Sequence, residues 1–340
     1  MLEAVIRPPG GEKMNYIGLD AHKEYIDATV LDENGKVVKR GKLKYNKEGL
    51  EEFFKGIDNA SVAIEAGYSW RPAYEFLKNI GYKVSLAHPL KTRLIADVKI
   101  KTDAKASEAL AQLLMMGWLP TAYVPSEEIQ SLRDLTRLRA YLVHERTRFK
   151  NKVHAALMRE GMRAGKTVFA KKRRQSLKEL NINEVNRCLA VIDVLDEQIN
   201  ELSTEIKRVA GETQAKWLMS IPGVGYFSAV SILAEIGDIS RFESDEKLCS
   251  YAGLVPSTKE SGYMSIHGRI TKQGSPFLRW ILEECVWAHL RCAKDTSLTR
   301  FFYRMLWKGK EKAAVATARK LLKVVWALLK EKREFHAFHN

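Results

Sequence analysis

The chain has 340 residues, of which 46% are hydrophobic, 9% aromatic and 29% charged, and its 56 lysines and arginines against 41 acidic residues give a formal net charge of +15. These fractions exclude a disordered or collagen-like protein, and no stretch approaches the roughly 18 apolar residues of a membrane helix. The four cysteines form no zinc-finger spacing, and a reducing cytoplasm is the expected compartment. The excess positive charge indicates a polyanionic partner, nucleic acid before an anionic membrane surface.

The length suggests two or three domains, at about 100 to 200 residues each. The first residues contain two prolines and two glycines and no apolar segment, which predicts a flexible leader and not a secretory signal. The predicted segments are the leader at 1–13, an α/β domain at 14–125, a basic helical or coiled-coil segment at 126–212 and a mostly helical domain at 213–340.

The α/β domain is predicted from alternating strand-like and helical patterns. Two apolar runs at 16–20 and 25–31 and the Asp-Glu-Asn-Gly turn before Val37 predict an antiparallel meander of three strands. Later strands at 61–65 and 83–87, each preceded by a helix, predict a mixed sheet with crossover connections.

The segment after this domain is predicted to contain two long helices. Apolar residues at spacings of three and four predict the first helix, over 129–159. The second helix carries a heptad seam, and two interpretations of it have equal weight: a helical hairpin within one chain, or a dimerising coiled coil. The seam consists of Ile192, Leu195, Ile199, Leu202, Ile206 and Val209.

The positive charge is concentrated in two blocks. Residues 1–120 hold 18 basic and 16 acidic side chains, whereas 131–175 hold 14 basic and three acidic ones and 304–333 hold ten and two. Interspersed signs would be typical of a merely solvated surface, so this segregation favours nucleic-acid contact. The candidate contact residues are Arg133, Arg137, Arg146, Arg148, Lys150, Lys152, Lys171, Lys172, Arg173, Arg174, Arg269, Lys272 and Arg279.

Three acidic residues stand where a metal ion could be held. Asp20 and Glu65 close the first and fourth predicted strands, and if those strands are neighbours the two carboxylates can share Mg²⁺, which prefers oxygen ligands. Thr102 is a candidate N-cap, with Asp103 in the first turn of the following helix. Asp103 alone would be interpreted as a charge that stabilises the helix dipole.

The segment from Ser220 to Gly225 is interpreted as a helix-hairpin-helix-like turn. Gly223 and Gly225 would let the backbone approach a phosphate, which the N–H groups of the following helix bind. An ordinary tight turn between two helices is the alternative.

Ser261 and Gly262 are predicted to lie in a loop between Pro256 and the basic segment that begins at His267. A serine beside a glycine in a loop is usually a turn residue.

The order Asp20, the Asp-Glu-Asn-Gly hairpin, Glu65 and Lys-Thr-Asp at a helix start resembles the RNase H-like, RuvC-type domain of the bridge-RNA-guided DEDD insertion-sequence transposases. The C-terminal half resembles the second transposase domain of that family. The matching segments are Ile-Pro-Gly-Val-Gly at 221–225, Leu-Ala-Glu-Ile-Gly-Asp at 233–238, Tyr-Ala-Gly-Leu-Val-Pro at 251–256, Ser261-Gly262, Lys-Gln-Gly at 272–274 and Leu278-Arg279.

The resemblance implies an RNA-guided DNA recombinase. Asp20, Glu65 and Asp103 would bind Mg²⁺, and Ser261 would attack the scissile phosphate to form a covalent phosphoserine intermediate. The implied partners are a guide (bridge) RNA, donor and target DNA, and further copies of the chain, as a dimer and as a tetramer in the synaptic complex. The implied compartment is the prokaryotic cytoplasm, in association with the nucleoid.

The sequence departs from the family pattern at one ligand. The family has Asp-x-x-Asp on the helix, and the last position is Ala106, which cannot bind a metal. Either this is a naturally weakened member, or alanine was substituted for aspartate to arrest the chemistry, and the intact remaining motifs favour the second explanation. A RuvC-like nuclease or junction resolvase that uses metal alone, and a non-catalytic nucleic-acid scaffold, are the alternative functions.

Overall fold

The computed structural model describes residues 14–95, 102–261 and 264–336. The predicted leader and Gly262 lie outside the described residues. The chain divides into two compact units, with the boundary between Val124 and Pro125. The further division predicted at residue 213 stays a prediction. None of the helices in the described ranges combines the length and the apolar character needed to cross a membrane.

The first unit is a mixed α/β domain with five strands. Its strands and helices follow the predicted order closely. They are β1 (Asn15–Ala21), β2 (Tyr25–Leu31), β3 (Val37–Lys44), α1 (Lys47–Phe54), β4 (Ala60–Glu65), α2 (Trp70–Asn79), β5 (Lys83–Ala87), α3 (Pro89–Ile95) and α4 (Asp103–Met115).

The five strands form one sheet in the order β3-β2-β1-β4-β5. The first three strands are antiparallel, which confirms the predicted meander. Strands β4 and β5 run parallel to β1, which confirms the crossover connections. Because side chains alternate between the faces of a sheet, Ile17 and Leu19 pack with α1 and α2 on one face, and Ala63 packs with Leu110 of α4 on the other.

Helix α4 lies unusually close to the sheet because of Gly18 in β1. A Cβ atom at position 18 would come within 1.9 Å of the backbone oxygen of Ser107. The hydroxyl of Ser107 is hydrogen-bonded to that of Thr29 in β2 at 2.8 Å, and both residues are fully buried. These two contacts hold the first turns of α4 directly against the middle of the sheet.

The second unit is mostly helical. Its elements are α5 (Glu127–Arg159), α6 (Lys171–Glu179), α7 (Asn183–Glu212), α8 (Ala215–Met219), α9 (Tyr226–Ile236), α10 (Asp245–Tyr251), β6 (Pro256–Ser261), β7 (Met264–Ile270), α11 (Pro276–Cys292), α12 (Ser297–Met305) and α13 (Lys310–Glu331). Helices α11 and α13 contribute Leu282, Val286, Leu322 and Val325 to one large apolar core.

Helices α5 and α7 form an antiparallel hairpin within the chain. Arg146 pairs with Asp196 and Arg139 with Ser203, so residue numbers fall along one helix as they rise along the other. The seam isoleucines at 192, 199 and 206 are buried, whereas the seam residues at 195, 202 and 209 are half-buried. The hairpin interpretation is confirmed, and a dimer through the same helices stays a prediction.

The segment around Ser261 differs from the predicted loop. Strands β6 and β7 form an antiparallel pair, and the backbone of Ser261 ends β6 opposite Met264. The loop prediction was wrong because it weighed only the turn-forming Ser-Gly pair. The runs on either side contain Thr258, Ile266 and Ile270, β-branched residues that favour strands.

Candidate functional site

The sheet brings the first two predicted metal ligands to the same end of neighbouring strands. Leu19 of β1 is in register with Ile64 of β4, and the strands are parallel. Asp20 and Glu65, the residues that follow these two, therefore lie side by side where the strands end. The sequence-based condition for a shared cation, that the two strands be neighbours, is fulfilled.

Helix α4 brings in the third ligand. Thr102 caps the helix as predicted, because its side chain accepts a hydrogen bond from the backbone N–H of Lys105 at 3.3 Å. Asp103 then occupies the first turn, and the close approach of the helix to Gly18 in β1 carries it towards Asp20. The position of Asp103 thus depends on a glycine 85 residues earlier in the chain.

A histidine completes the group of converging ligand atoms. The ligand atoms of Asp20, His22 and Asp103 all lie within 4.8 Å of one another. His22 Nε2 is 3.4 Å from Oδ2 of Asp20 and 3.4 Å from Oδ2 of Asp103. His22 was not among the predicted ligands, although its place two residues after a ligand at a strand end was a usable signal. Glu65 is outside this tight group.

The electrostatics of the group favour a bound cation. Burial raises the pKa of the Asp20 carboxyl, His22 opposes this, and the negative charges of Glu65, Asp103 and Asp27 raise the pKa further. Tyr25 donates a hydrogen bond to Asp103 at 3.0 Å and so orients that carboxylate. Several carboxylates that raise one another's proton affinity form a donor set that suits a divalent metal ion.

Ala106 lies one turn after Asp103 on α4 and is half-buried. Its methyl group offers no ligand atom. Glu108, the next acidic residue along the helix, forms an ion pair with Arg40 of β3. Asp97, the other neighbouring acid, lies outside the described residues. No described acidic residue therefore replaces the family's second helix aspartate in the group around Asp20.

Two arginines predicted to contact nucleic acid are bound inside the second unit. Arg133 donates to the backbone oxygens of Ala234 and Glu235, at 2.8 and 2.9 Å, at the C-terminal end of α9. Arg137 donates to both carboxylate oxygens of Glu235, at 2.8 and 3.0 Å. Glu235 is only 1% exposed, so this pair fastens α5 to α9.

Two further predicted arginines fasten α6 and α5 to α7. Arg146 binds Asp196 at 2.8 Å, and Arg174 binds Asp193 at 2.6 Å and Asp196 at 3.3 Å. Burial alone would raise the pKa of Asp196, but the hydrogen bonds and charge of Arg146, with that of Arg174, hold it below its usual value. These arginines have a structural role in addition to any role in binding.

Four other predicted basic residues of this segment are exposed: Arg148, Lys152, Lys172 and Arg173. Arg148, on α5, pairs with the neighbouring Glu145, and its side chain is 66% exposed. Lys150 and Lys152 also lie on α5, where burial lowers the pKa of Lys150. The run Lys171, Lys172, Arg173 and Arg174 begins α6, and Arg173 donates to the hydroxyl of Thr167 at 2.8 Å.

The predicted helix-hairpin-helix-like turn lies between α8 and α9. A Cβ atom at Gly223 would come within 2.4 Å of the backbone nitrogen of His289 in α11, and φ at this glycine is +89°. Packing against α11 therefore accounts for Gly223. Gly225, the N-cap of α9, is exposed with open space around it, so its predicted phosphate contact is sterically free.

The last predicted contacts surround the β6–β7 hairpin. Arg269 lies on β7, and Lys272 follows it with a left-handed φ of +55°. Arg279, on α11, donates to the backbone oxygens of Ala252 and Gly274, at 3.0 and 3.2 Å. Arg279 therefore binds the chain before and after the hairpin whose first strand ends at Ser261.

Two family models match the chain, one in each half. The DEDD transposase model of IS110 elements, described as "Transposase", matches residues 17–160. A model described as "Transposase IS116/IS110/IS902 family" matches residues 215–303. The chain belongs to the IS110/IS116 family of transposases. The first match contains Asp20, Glu65 and Asp103, and the second contains Ser261.

Several curated relatives match this chain along most of their own length. A transposase for insertion sequence element IS1111A of Coxiella burnetii is 27% identical over 92% of this chain and 89% of its own length. A transposase for IS1328 of Yersinia enterocolitica is 24% identical over 92% and 96%. A pilin gene-inverting protein of Moraxella bovis is 27% identical over 94% and 97%.

Proposed function

We propose that the protein is an RNA-guided DNA recombinase that cuts and exchanges strands in a metal-dependent reaction through a phosphoserine intermediate. The convergence of the Asp20 and Asp103 carboxylates at the end of β1, next to Glu65, carries this proposal. The family supports it, as does the similarity to a pilin gene-inverting protein, whose name describes a rearrangement of DNA.

We assign the first unit to the RNase H-like, RuvC-type fold. The sheet order supports this, with an antiparallel meander on one side of β1 and two parallel strands on the other. Asp20 of the central strand β1 and Asp103 of the covering helix α4 converge, and Glu65 ends the parallel neighbour β4 beside Asp20. That arrangement is what a shared metal site requires.

In the proposed site Asp20, Glu65 and Asp103 hold a divalent cation, Mg²⁺ being the one expected from oxygen ligands. A bound cation would neutralise charge on the scissile phosphate and favour ionisation of the attacking hydroxyl. Tyr25 keeps the Asp103 carboxylate in place through its hydrogen bond. The chain's own contribution is thus to fix three negative charges where the cation and the phosphate must meet.

Ser261 is the proposed nucleophile. Its hydroxyl oxygen forms a bond to phosphorus while the bond from phosphorus to one deoxyribose oxygen breaks, and the serine proton is released as that deoxyribose oxygen takes up a proton. The phosphodiester energy is kept in the serine ester, so a second DNA hydroxyl can rejoin the strand without a further energy source. Arg279 supports the hairpin that carries Ser261 by binding the chain on both sides of it.

The proposed partners are a guide RNA, donor DNA and target DNA, with homo-oligomers assembling the exchange complex. Exposed cations of the α5–α6 region, such as Arg148 and Lys172, would hold the phosphate backbones. Base pairing with the guide would then select the target, as in other guided systems.

The test combines purified full-length protein, its co-purified RNA and a DNA fragment with a matching target, in the presence of Mg²⁺ or Mn²⁺. We expect cleavage, in the chain as it stands or once Ala106→Asp restores the family's carboxylate, with a protein–DNA adduct that resists denaturation. The adduct should be lost when Ser261→Ala is added, and all cleavage should be lost in chelator. Ser257→Ala, in the same strand, is the matched control and should retain the adduct.

Other outcomes favour the alternative functions. Cleavage that persists in Ser261→Ala, without any adduct, identifies a nuclease or resolvase that uses metal alone. Binding without cleavage, both in the chain as it stands and in Ala106→Asp, identifies a non-catalytic scaffold. Co-purified RNA that lacks segments complementary to donor and target contradicts RNA guidance.

A further inference from the structure

The metal site lacks the carboxylate that the family's four-acid pattern places at position 106, and the imidazole of His22 lies beside the carboxylates of Asp20 and Asp103. We propose that Nε2 of His22 takes over the ligand position that Ala106 leaves empty, so that the site binds its divalent ion through Asp20, Asp103 and an imidazole nitrogen, with Glu65 as the remaining carboxylate. This inference rests on the proposed metal-dependent function.

The two distances from His22 to the carboxylates are those expected between ligands of one ion. His22 Nε2 is 3.4 Å from a carboxylate oxygen of Asp20 and 3.4 Å from one of Asp103. Two ligand atoms that each lie about 2.1 Å from a metal, at an angle between about 90° and 110°, are separated by about 3.0 to 3.4 Å. The imidazole nitrogen is therefore spaced from each of the two carboxylates as a second ligand of one ion would be.

The burial of the His22 nitrogen and its lack of a hydrogen bond also support a role as a ligand. Nε2 of His22 is buried and makes no hydrogen bond with any residue that the structure describes. A buried polar atom that makes no hydrogen bond calls for an explanation, and a bound ion is one of the standard ones. The nitrogen faces two carboxylates, which an ion between them would join.

The surroundings of His22 hold the ring in place. Its backbone N–H donates to the oxygen of Tyr25 at 2.9 Å, and its own oxygen accepts from the hydroxyl of Ser69 at 3.0 Å. Its ring lies 4.6 Å from that of Tyr25, whose hydroxyl binds Asp103. Metal-binding side chains are commonly fixed by such outer contacts, which keep the ligand in position before the ion arrives.

The exchange of a carboxylate for an imidazole changes which ion the site prefers. Mg²⁺ is a hard ion that favours all-oxygen sites, whereas Mn²⁺ and later transition ions accept nitrogen ligands readily. The site with His22 also carries one negative charge fewer than a site with four carboxylates. We therefore expect His22 to favour Mn²⁺ over Mg²⁺ relative to the family's arrangement.

The experiment measures Mn²⁺ binding to the full-length protein by electron paramagnetic resonance, with pulsed spectra to detect directly bound nitrogen. We expect one tight site whose spectrum shows nitrogen coupling, and the coupling should change to the ¹⁵N pattern when the histidines are ¹⁵N-labelled. His22→Ala should lose the coupling and bind Mn²⁺ at least about tenfold more weakly. His144→Ala, an exposed histidine of α5, is the matched control and should change neither.

The measurements also separate this inference from the proposed function. Tight Mn²⁺ binding without nitrogen coupling overturns the role of His22 but leaves the metal-dependent function intact. Absence of any tight site in the unaltered protein contradicts both. The double variant His22→Ala with Ala106→Asp should bind Mg²⁺ more tightly than His22→Ala alone, and equal binding in these two folded variants would contradict the idea that the two positions share one ligand role.

Discussion

Charged side chains are arranged in opposite ways at the end of β1 and along helix α5. At the end of β1 the carboxylates of Asp20 and Asp103 converge, with Glu65 nearby, and a single imidazole stands between them. In the second unit Arg137 meets Glu235, and Arg146 meets Asp196, each at 2.8 Å. Like charges converge at the end of β1, whereas opposite charges pair with one another along α5.

This difference separates charges that serve a ligand from charges that serve the fold. A buried pair of opposite charges that is well hydrogen-bonded is satisfied within the protein. Converging like charges cost stability until a cation arrives, which is typical of functional sites. The count of basic residues in α5 therefore overstates the charge available to nucleic acid, since Arg133 and Arg137 are engaged with α9.

The largest expected effect comes from neutralising the acidic group. Asp20→Asn should lower DNA cleavage by about 10³-fold or more, because losing a ligand removes several kcal/mol of transition-state stabilisation. The melting temperature should stay unchanged or rise, since an ionised carboxyl with a raised pKa destabilises the fold at neutral pH. Asp27→Asn, opposite Asp20 on β2, makes the same charge change and should leave cleavage within about twofold. A marked loss of stability in Asp20→Asn would place Asp20 with the structural charges instead.

The arginines of α5 test the other half of the comparison. Arg137→Ala should lower the free energy of unfolding by about 3 kcal/mol, because it leaves the buried carboxylate of Glu235 without this positive charge. Arg148→Ala, on the same helix but in an exposed pair, should change it by less than about 0.5 kcal/mol. Denaturant titration measures both. Arg148→Ala should also reduce the slope of log affinity for nucleic acid against log salt by about 1, whereas Arg137→Ala should not. The reverse result would mean that Arg137 contacts the nucleic acid.

The approach of α4 to the sheet is expected to have a smaller effect on stability. Gly18→Ala should cost about 1 to 3 kcal/mol, since its Cβ would overlap the backbone of Ser107, and should weaken Mn²⁺ binding by moving Asp103 away. Gly67→Ala, close to Glu65 and with open space around it, should change stability by less than about 1 kcal/mol. Calorimetry and the Mn²⁺ titration check the two effects, and full Mn²⁺ affinity in Gly18→Ala would show that the approach does not position Asp103.

The smallest effect concerns His289, a polar group that the second unit buries without a charge partner. Its ring nitrogens bind the oxygen of Pro222 at 2.6 Å and the hydroxyl of Thr296 at 2.7 Å, and burial lowers its pKa. The unfolded chain therefore takes up a proton before the folded one as the pH falls below about 6.5. The contribution of His289 to the free energy of unfolding should be fully present above that pH. Below it the free energy of unfolding should decrease, by at most about 1.4 kcal/mol per pH unit. His289→Gln should show a shallower decrease between pH 6.5 and 5 in thermal unfolding, and an unchanged slope would assign the dependence to other groups.

Much of the first unit could be predicted from sequence because its signals are local. Apolar alternation in β1 and β2, the Asp-Glu-Asn-Gly turn and the Thr102 cap each concern a few adjacent residues, and the structure has all of them. The hairpin around Ser261 could not be predicted in this way, because its two strands are short and their pairing is not a property of either strand alone. Which seam residues of α7 are buried likewise depended on α5.

The sequence by itself determined the five strands of the first unit, the family, and the placement of Asp20, Glu65 and Asp103 at the ends of their elements. Only the tertiary structure decided which of the charged residues meet. Tyr25 reaches Asp103 across 78 positions and Arg137 reaches Glu235 across 98. Such contacts follow from how whole elements pack, for which the spacing of residues along one element carries no information. For the same reason, the approach of His22 to Asp103 follows only from the packing of α4 against β1.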